Sequence, residues 1–357
     1  MEGTMKAVVM VESGKAVYKD VPIPHANDDE MVIKVKAAGI CGGDMTIYYG
    51  KVNPPSFPVT LGHEYAGEIA YVGKNVPGTW KVGDRVVHEN TYDVCGVCPA
   101  CVHGNFVNCA HRMCTGYSHN GAFTTYVKLP AHLLQVYPNS VLKLPDSISF
   151  KEAAVFEPAS NSYKAVVQEG GLRPGENIVI FGSGPMGIMC AANAQAAGAA
   201  NIIMVGLSSD VGVRSEVAAK YGVKHFLCSD KDDVVAKVHE ICGEYGVRLA
   251  IDAAGAPITL HLAIQLVHNE GTIVRIGKSP APYGYSLDDL TCKSITLRGH
   301  EGYNTESWQR VISMADAGIL DVSKAITQIL PMSEFHQGFE LMRTQQAAKV
   351  ILLPEEE

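Results

Sequence analysis

Asn177-Ile178-Val179-Ile180-Phe181-Gly182-Ser183-Gly184-Pro185-Met186-Gly187 is the stretch whose reading decides the fold. Its first five residues, mostly β-branched or aromatic, read as a strand. The Ala-rich run from Met186 to Ala197 reads as a helix, and the three glycines span the turn and the start of that helix. In that context each glycine has a task. The first makes the tight turn, the second lets a pyrophosphate approach the backbone, and the third allows close helix–sheet packing. The N–H groups that open the helix are free to meet an anion. Gly182, Gly184, Pro185, Met186 and Gly187 are therefore expected to bind a dinucleotide; a purely structural turn is the plainer alternative.

Downstream of this turn strands and helices keep alternating. Asn201–Val205 is a second strand, a helix follows around Arg214 to Tyr221, and Leu249–Asp252 and Thr272–Ile276 are further strands. Such alternation predicts a parallel sheet with helices on both faces. Strand position puts Ala253, Ala254, Ile276 and Gly277 on loops near a nicotinamide. A dinucleotide fold usually ends its second strand with an acid that binds the ribose 2′-hydroxyl. Here the position is Gly206, followed by Ser208, Ser209, Asp210 and Arg214. Without the acid a 2′-phosphate is not repelled, and Ser208 and Arg214 are candidate donors to it. NADP is thus the favoured cofactor, with NAD open because Asp210 can fold back to the ribose.

Upstream the pattern differs. Ala7–Val11, Met31–Lys36, Glu68–Gly73 and Val82–Val87 read as short strands between turns, which predicts a β-rich, barrel-like domain up to about Pro145. After Gly299 come one helix near Ser307–Ala317 and a strand at Lys349–Leu353, expected to return to that first domain.

The length of 357 residues suits about two domains. Hydrophobic residues at 47% and charged residues at 18% exclude a disordered chain. A net charge of −8 gives no general attraction for nucleic acid or anionic membrane. The longest weakly polar run, Ile178 to Leu207, is broken by Gly182, Pro185, Asn193 and Asn201, so no membrane span is expected. Met1–Lys6 does not read as a secretory signal, and a cytoplasmic, reducing location is the expectation.

Two groups of metal-ligand residues stand in the β-rich part. Cys95, Cys98, Cys101 and Cys109 lie in one loop, and four thiolates at this spacing fit a closed, structural tetrahedral zinc site. An iron–sulfur centre is the lesser alternative. The second group is Cys41, His63 and Glu64, with Glu157 as a fourth or exchangeable ligand. A lone Cys or His is more often a packed core residue, but a dinucleotide fold in the same chain raises the catalytic reading, in which one position stays open for substrate oxygen. Asp44 is the candidate partner that fixes the His63 tautomer.

The motifs Gly62-His-Glu-x2-Gly67-x5-Gly73, Val82-Gly-Asp-Arg85, the Cys95–Cys109 lobe and Gly182–Gly187 resemble those of the zinc-dependent medium-chain dehydrogenase/reductase family over essentially the whole chain. Phe156-Glu157-Pro158 looks like the sorbitol and threonine dehydrogenase branches. The resemblance implies an α/β protein with a GroES-like β-rich catalytic domain at 1–157, an inserted Rossmann domain at 158–299 and a return to the catalytic domain at 300–357. It implies two zinc ions per chain, one catalytic and one structural, and a homodimer or homotetramer. The implied reaction is hydride transfer between NAD(P) and a secondary alcohol of a polyol, sugar derivative or similar small hydroxy compound. An NADPH-dependent reductase of aldehydes or ketones, a threonine-type amino-alcohol dehydrogenase and a non-enzymatic protein with this fold are the alternatives. The chain departs from the family at Gly43, where a relay Ser or Thr is usual, and at Thr46, where the polyol branch often has His. The segment Gly299–Tyr303 also lacks that branch's Arg-Tyr pair. Glu157 is therefore the expected main proton acceptor, with Thr46 and Glu64 as the other candidates.

Overall fold

The computed structural model describes residues 2–355, which form two units. The first unit takes in the chain through Glu157, then Asn304–Asp316 and the chain from Ile326 onward. Its main sheet runs in the order Val141–Lys143, Arg85–His88, Glu64–Val72, Glu30–Gly39, Lys349–Leu353 and Ile326–Pro331, with Tyr126–Pro130 also paired to Glu30–Gly39. The strand Glu30–Gly39 is flanked on both sides, and its Met31, Val32, Ile33 and Val35 are all buried. Lys34 and Lys36 alternate with the buried Ile33 and Val35, as in a strand with one face on the core and one nearer water. Met10, Ile33, Tyr65, Phe123, Phe339 and Leu352 belong to the core of this unit. Each such side chain contributes roughly 1.5–3 kcal/mol by leaving water.

One strand is shorter than its sequence suggests. Val82-Gly83-Asp84 precedes the strand Arg85–His88 as a turn, with Gly83 at φ 88° and the Asp84 carboxylate accepting from Lys81 N at 3.1 Å. A backbone in the left-handed region cannot continue a strand.

The second unit comprises Pro158–Tyr303 and Ala317–Ala325. Its six strands are all parallel, in the order Val223–Cys228, Asn201–Gly206, Asn177–Phe181, Val247–Asp252, Val267–Arg275 and Thr296–Gly299. The strand that opens this unit, Asn177–Phe181, lies in the middle, so the order reverses there, as in a doubly wound Rossmann sheet. Val179, Phe181, Ile203, Val205, Ala250 and Ile273 share its core.

Two strands of this unit escape the sequence reading. Val223–Cys228 is interrupted by Lys224 and His225, and all four residues of Thr296–Gly299 are exposed, so that edge strand carries no hydrophobic pattern. The chain returns to the first unit at Asn304, four residues later than the expected position 300. It also re-enters the second unit at 317–325, where Tyr221 Oη donates to Asp321 O at 2.9 Å. Among the described residues no helix is long and apolar enough to cross a membrane.

Candidate metal centres and cofactor turn

Cys41 ends an extended segment and caps the helix Gly42–Tyr48. Its thiol sulfur accepts from Gly43 N at 3.4 Å, and Asp44 closes the capping box by accepting from Cys41 N at 3.0 Å through Oδ2. The other Asp44 oxygen, Oδ1, stands 3.2 Å from His63 Nδ1. That contact sets a carboxylate beside Nδ1 and leaves Nε2 for a metal, the arrangement that orients metal-binding histidines. His63 and Glu64 enter from the start of the neighbouring strand Glu64–Val72. Ligand atoms of Cys41, His63 and Glu64 all lie within 4.8 Å of one another, a sulfur, nitrogen and oxygen set that fits zinc with one position open.

The same set does not include Glu157. Its Oε1 accepts instead from Asn90 Nδ2 at 3.2 Å, and Asn90 Oδ1 in turn accepts from Arg112 Nη2 at 2.6 Å. Burial, reinforced by the nearby charge of Glu64, pushes the Glu157 carboxyl up to about 7. Thr46 is drawn away from the relay role: its hydroxyl donates to Gly43 O at 2.8 Å, inside its own helix. Glu64 Oε2 accepts from Lys349 Nζ, while Glu64 Oε1 is buried without a hydrogen bond.

The four lobe cysteines converge as their spacing suggests. Cys98 and Cys101 sulfurs are 3.6 Å apart, as are those of Cys95 and Cys109. Zn–S bonds of about 2.3 Å in a tetrahedron set sulfurs roughly 3.8 Å apart, whereas a disulfide needs about 2.05 Å. The geometry fits a metal, not two bridges. The N–H groups of Cys101 and Ala110 bring the Cys98 thiol down to about 6, which favours the thiolate a metal takes. Leu133, Tyr137 and Val94 pack beneath Cys101 and Cys109.

In the second unit Gly182 sits at φ 102°, and a Cβ on Gly187 would stand 1.9 Å from Gly182 O. A Cβ on Gly184 would meet nothing within 4 Å. Turn, open approach and tight packing are thus divided among the three glycines in the expected order. Gly184 caps the helix Pro185–Ala196, with Pro185 and Met186 in its first turn. Ala254 lies against Gly182, and Ile276 N donates to Asp252 O at 2.9 Å, both at the carboxyl ends of the strands where nucleotides bind in such sheets.

The expected donors to a 2′-phosphate are already held by carboxylates. Ser208 donates to Asp230 through both its hydroxyl and its N–H, the latter at 2.8 Å. Arg214 Nη1 donates to Asp210 Oδ1 at 3.4 Å. Asp210 Oδ2 accepts from Leu207 N at 2.9 Å and would lie 3.0 Å from a Cβ on Gly206, so it fills the place of the absent acid. In this structure both donors thus already have carboxylate partners.

Residues 27–139 match the alcohol dehydrogenase GroES-like domain, and residues 185–317 match the zinc-binding dehydrogenase domain. The chain belongs to the zinc-binding alcohol dehydrogenase family. It is 37% identical over 353 residues to a zinc-type alcohol dehydrogenase-like protein of Escherichia coli, YdjL, covering 98% of both chains. It is 34% identical to L-threonine 3-dehydrogenase of Bacillus velezensis, covering 99% of this chain and 100% of that one. Among solved structures, 2R,3R-butanediol dehydrogenase of Bacillus subtilis superposes with a TM-score of 0.87 at 28% identity, covering 98% of this chain and 100% of the other. The dehydrogenase is therefore a zinc-dependent oxidoreductase acting on alcohols.

Asn90, Arg112 and Lys349 are the site residues that sequence reasoning missed. Asn90 and Arg112 carry no motif. Lys349 gives one faint signal, a lone cation at the head of the apolar strand Lys349–Leu353.

Proposed function

We propose that the enzyme oxidises a secondary alcohol that carries a neighbouring polar group, as in a polyol or sugar derivative, with NAD as hydride acceptor. The observation that carries this reading is the Cys41, His63 and Glu64 set. It offers three protein ligands to a metal where the cysteine lobe offers four, which leaves one position for substrate oxygen. The alcohols named in two relatives, threonine and 2,3-butanediol, both bear their hydroxyl beside a second polar group and favour the same class.

Zinc at this centre would draw electron density from the alcohol oxygen while the nicotinamide takes the hydride. The chain's own residues do the rest. Asp44 holds His63 in the tautomer that presents Nε2. Gly43 brings no hydroxyl, and Thr46 is committed to Gly43 O. Glu157, anchored through Oε1 by Asn90, has Oε2 left to receive the alcohol proton. In the second unit Asp210 and Asp230 bring negative charge where a 2′-phosphate would need positive charge, which supports NAD.

The test is a steady-state screen of polyols, sugar acids, amino alcohols and simple alcohols, with NAD and with NADP and in both directions. The reading expects the highest kcat/KM for a vicinal hydroxy compound with NAD. A higher value for carbonyl reduction with NADPH would overturn it.

A further inference from the structure

Lys349 is fully buried, yet it lies in neither the motifs nor the proposed proton path. Its ammonium has two partners. One is Glu64 Oε2, and the other is Ile40 O at 2.9 Å. Ile40 immediately precedes Cys41, so this one side chain ties together the two segments that carry Cys41 and Glu64. The sheet makes the meeting possible. The strand Glu30–Gly39 lies between Glu64–Val72 and Lys349–Leu353, with Gly39 opposite Glu64 on one side and Ile351 on the other. A Cβ on Gly39 would stand 2.5 Å from Glu64 Oε2 and 2.9 Å from Lys349 Cε. Gly39 thus leaves the gap across which the carboxylate and the ammonium reach each other.

We propose that Lys349 is a positioning residue of the Cys41–His63–Glu64 centre, holding Glu64 by Oε2 and leaving Oε1 to face the metal as a weakly bound, exchangeable ligand. The inference rests on the metal-centre reading above. A carboxylate that shares one oxygen with an ammonium has less electron density to give a dication. The ammonium also repels that dication, and both effects are strong where water is excluded. Glu64 Oε1, buried without a hydrogen bond, is the atom such a division leaves over. A ligand held in this way can yield its place to substrate oxygen and be caught again by Lys349, without an unpaired carboxylate being stranded in the core.

The experiment uses the zinc-loaded enzyme with Co²⁺ exchanged into the Cys41 centre. Chelator competition gives the affinity, and the visible spectrum reports the ligands. Lys349→Met should bind the metal about tenfold to a hundredfold more tightly, with a changed Co²⁺ spectrum and a slower metal release. In the Glu64→Gln background the same change at Lys349 should tighten binding by less than it does in the wild type, because only the ammonium's repulsion is then relieved, and it should leave the Co²⁺ spectrum unaltered. A merely structural Lys349 would give weaker or unchanged binding and an unaltered spectrum, which overturns the proposal. Should Lys349→Met fail to fold, Glu64→Gln alone decides. A loss of tenfold or less marks a weakly held ligand, and a loss beyond a hundredfold marks a full one and overturns the proposal. Wild-type enzyme that takes up one metal per chain, in the lobe only, would overturn the metal-centre reading itself.

Discussion

At the scale of single residues, Gly184 and Gly187 stand three positions apart in one turn and face opposite surroundings. Gly184 looks onto open space with an ordinary backbone at φ −69°, while a Cβ on Gly187 would run into Gly182 O. Gly184→Ala should therefore melt like the wild type but bind NAD at least tenfold more weakly, because its methyl group fills the space kept for pyrophosphate. Gly187→Ala should lose about 1–3 kcal/mol of stability as backbone is pushed apart. Calorimetry and nucleotide titration on both variants check the division, and equal melting temperatures would contradict it. Glu157 is the other residue with a sharp expectation. Glu157→Gln should keep two zinc ions per chain and normal nucleotide affinity while alcohol oxidation falls about 10²–10⁴-fold. Zinc analysis beside turnover separates this from a ligand role, in which zinc content falls with activity.

At the scale of elements, the cysteine lobe has little regular structure of its own to hold it. Between Cys95 and Cys109 the regular structure is one four-residue helix and a single 3₁₀ turn, and Val97 and Val102 are exposed. So short a segment cannot close its own core, and metal binding there is folding free energy. Cys98→Ser should lower the melting temperature and release one zinc, measured by calorimetry and metal analysis on the same sample. A stable variant with full zinc would refute the structural assignment. The elements also show what sequence can and cannot reveal. The lobe and the glycine turn were legible because their chemistry is packed into fifteen and six consecutive residues, where spacing alone carries the geometry. The partners of Glu64 and Glu157 were not, because Lys349 comes from 285 residues away and Asn90 from 67. Only the sheet order brings them in. The surroundings of Ser208 and Arg214 were hidden for a related reason. The sequence showed these donors with Asp210 nearby, but not that Asp230, 22 residues on, accepts from Ser208.

Across the whole molecule, acid stability should turn on a buried histidine that takes no part in the proposed proton path. His88 is buried in the first unit, with Tyr65 Oη donating to Nδ1 at 2.8 Å and Nε2 donating to Thr91 O at 2.9 Å. Burial takes its pKa down from 6.5 to about 3. The folded chain thus refuses a proton that the unfolded chain accepts. The stability from neutral His88 is complete above pH 6.5 and is lost as pH falls from there towards 3, at about 1.4 kcal/mol per pH unit for one proton. His88→Gln should start less stable at pH 8 yet lose less on acidification, which denaturant unfolding at several pH values will show. The placement of Lys349 bears on the birth of the enzyme as well. At about 5–20 residues per second, synthesis needs roughly 15–60 seconds to travel from Glu64 to Lys349. The Rossmann strands are made within that interval. Over the same interval the strand Glu30–Gly39 lacks one neighbour, and an open strand edge invites pairing with other chains. The nucleotide unit can thus be nearly complete while the zinc-binding unit still waits for Lys349–Leu353, so nascent chains should need chaperone protection at the metal-binding unit first.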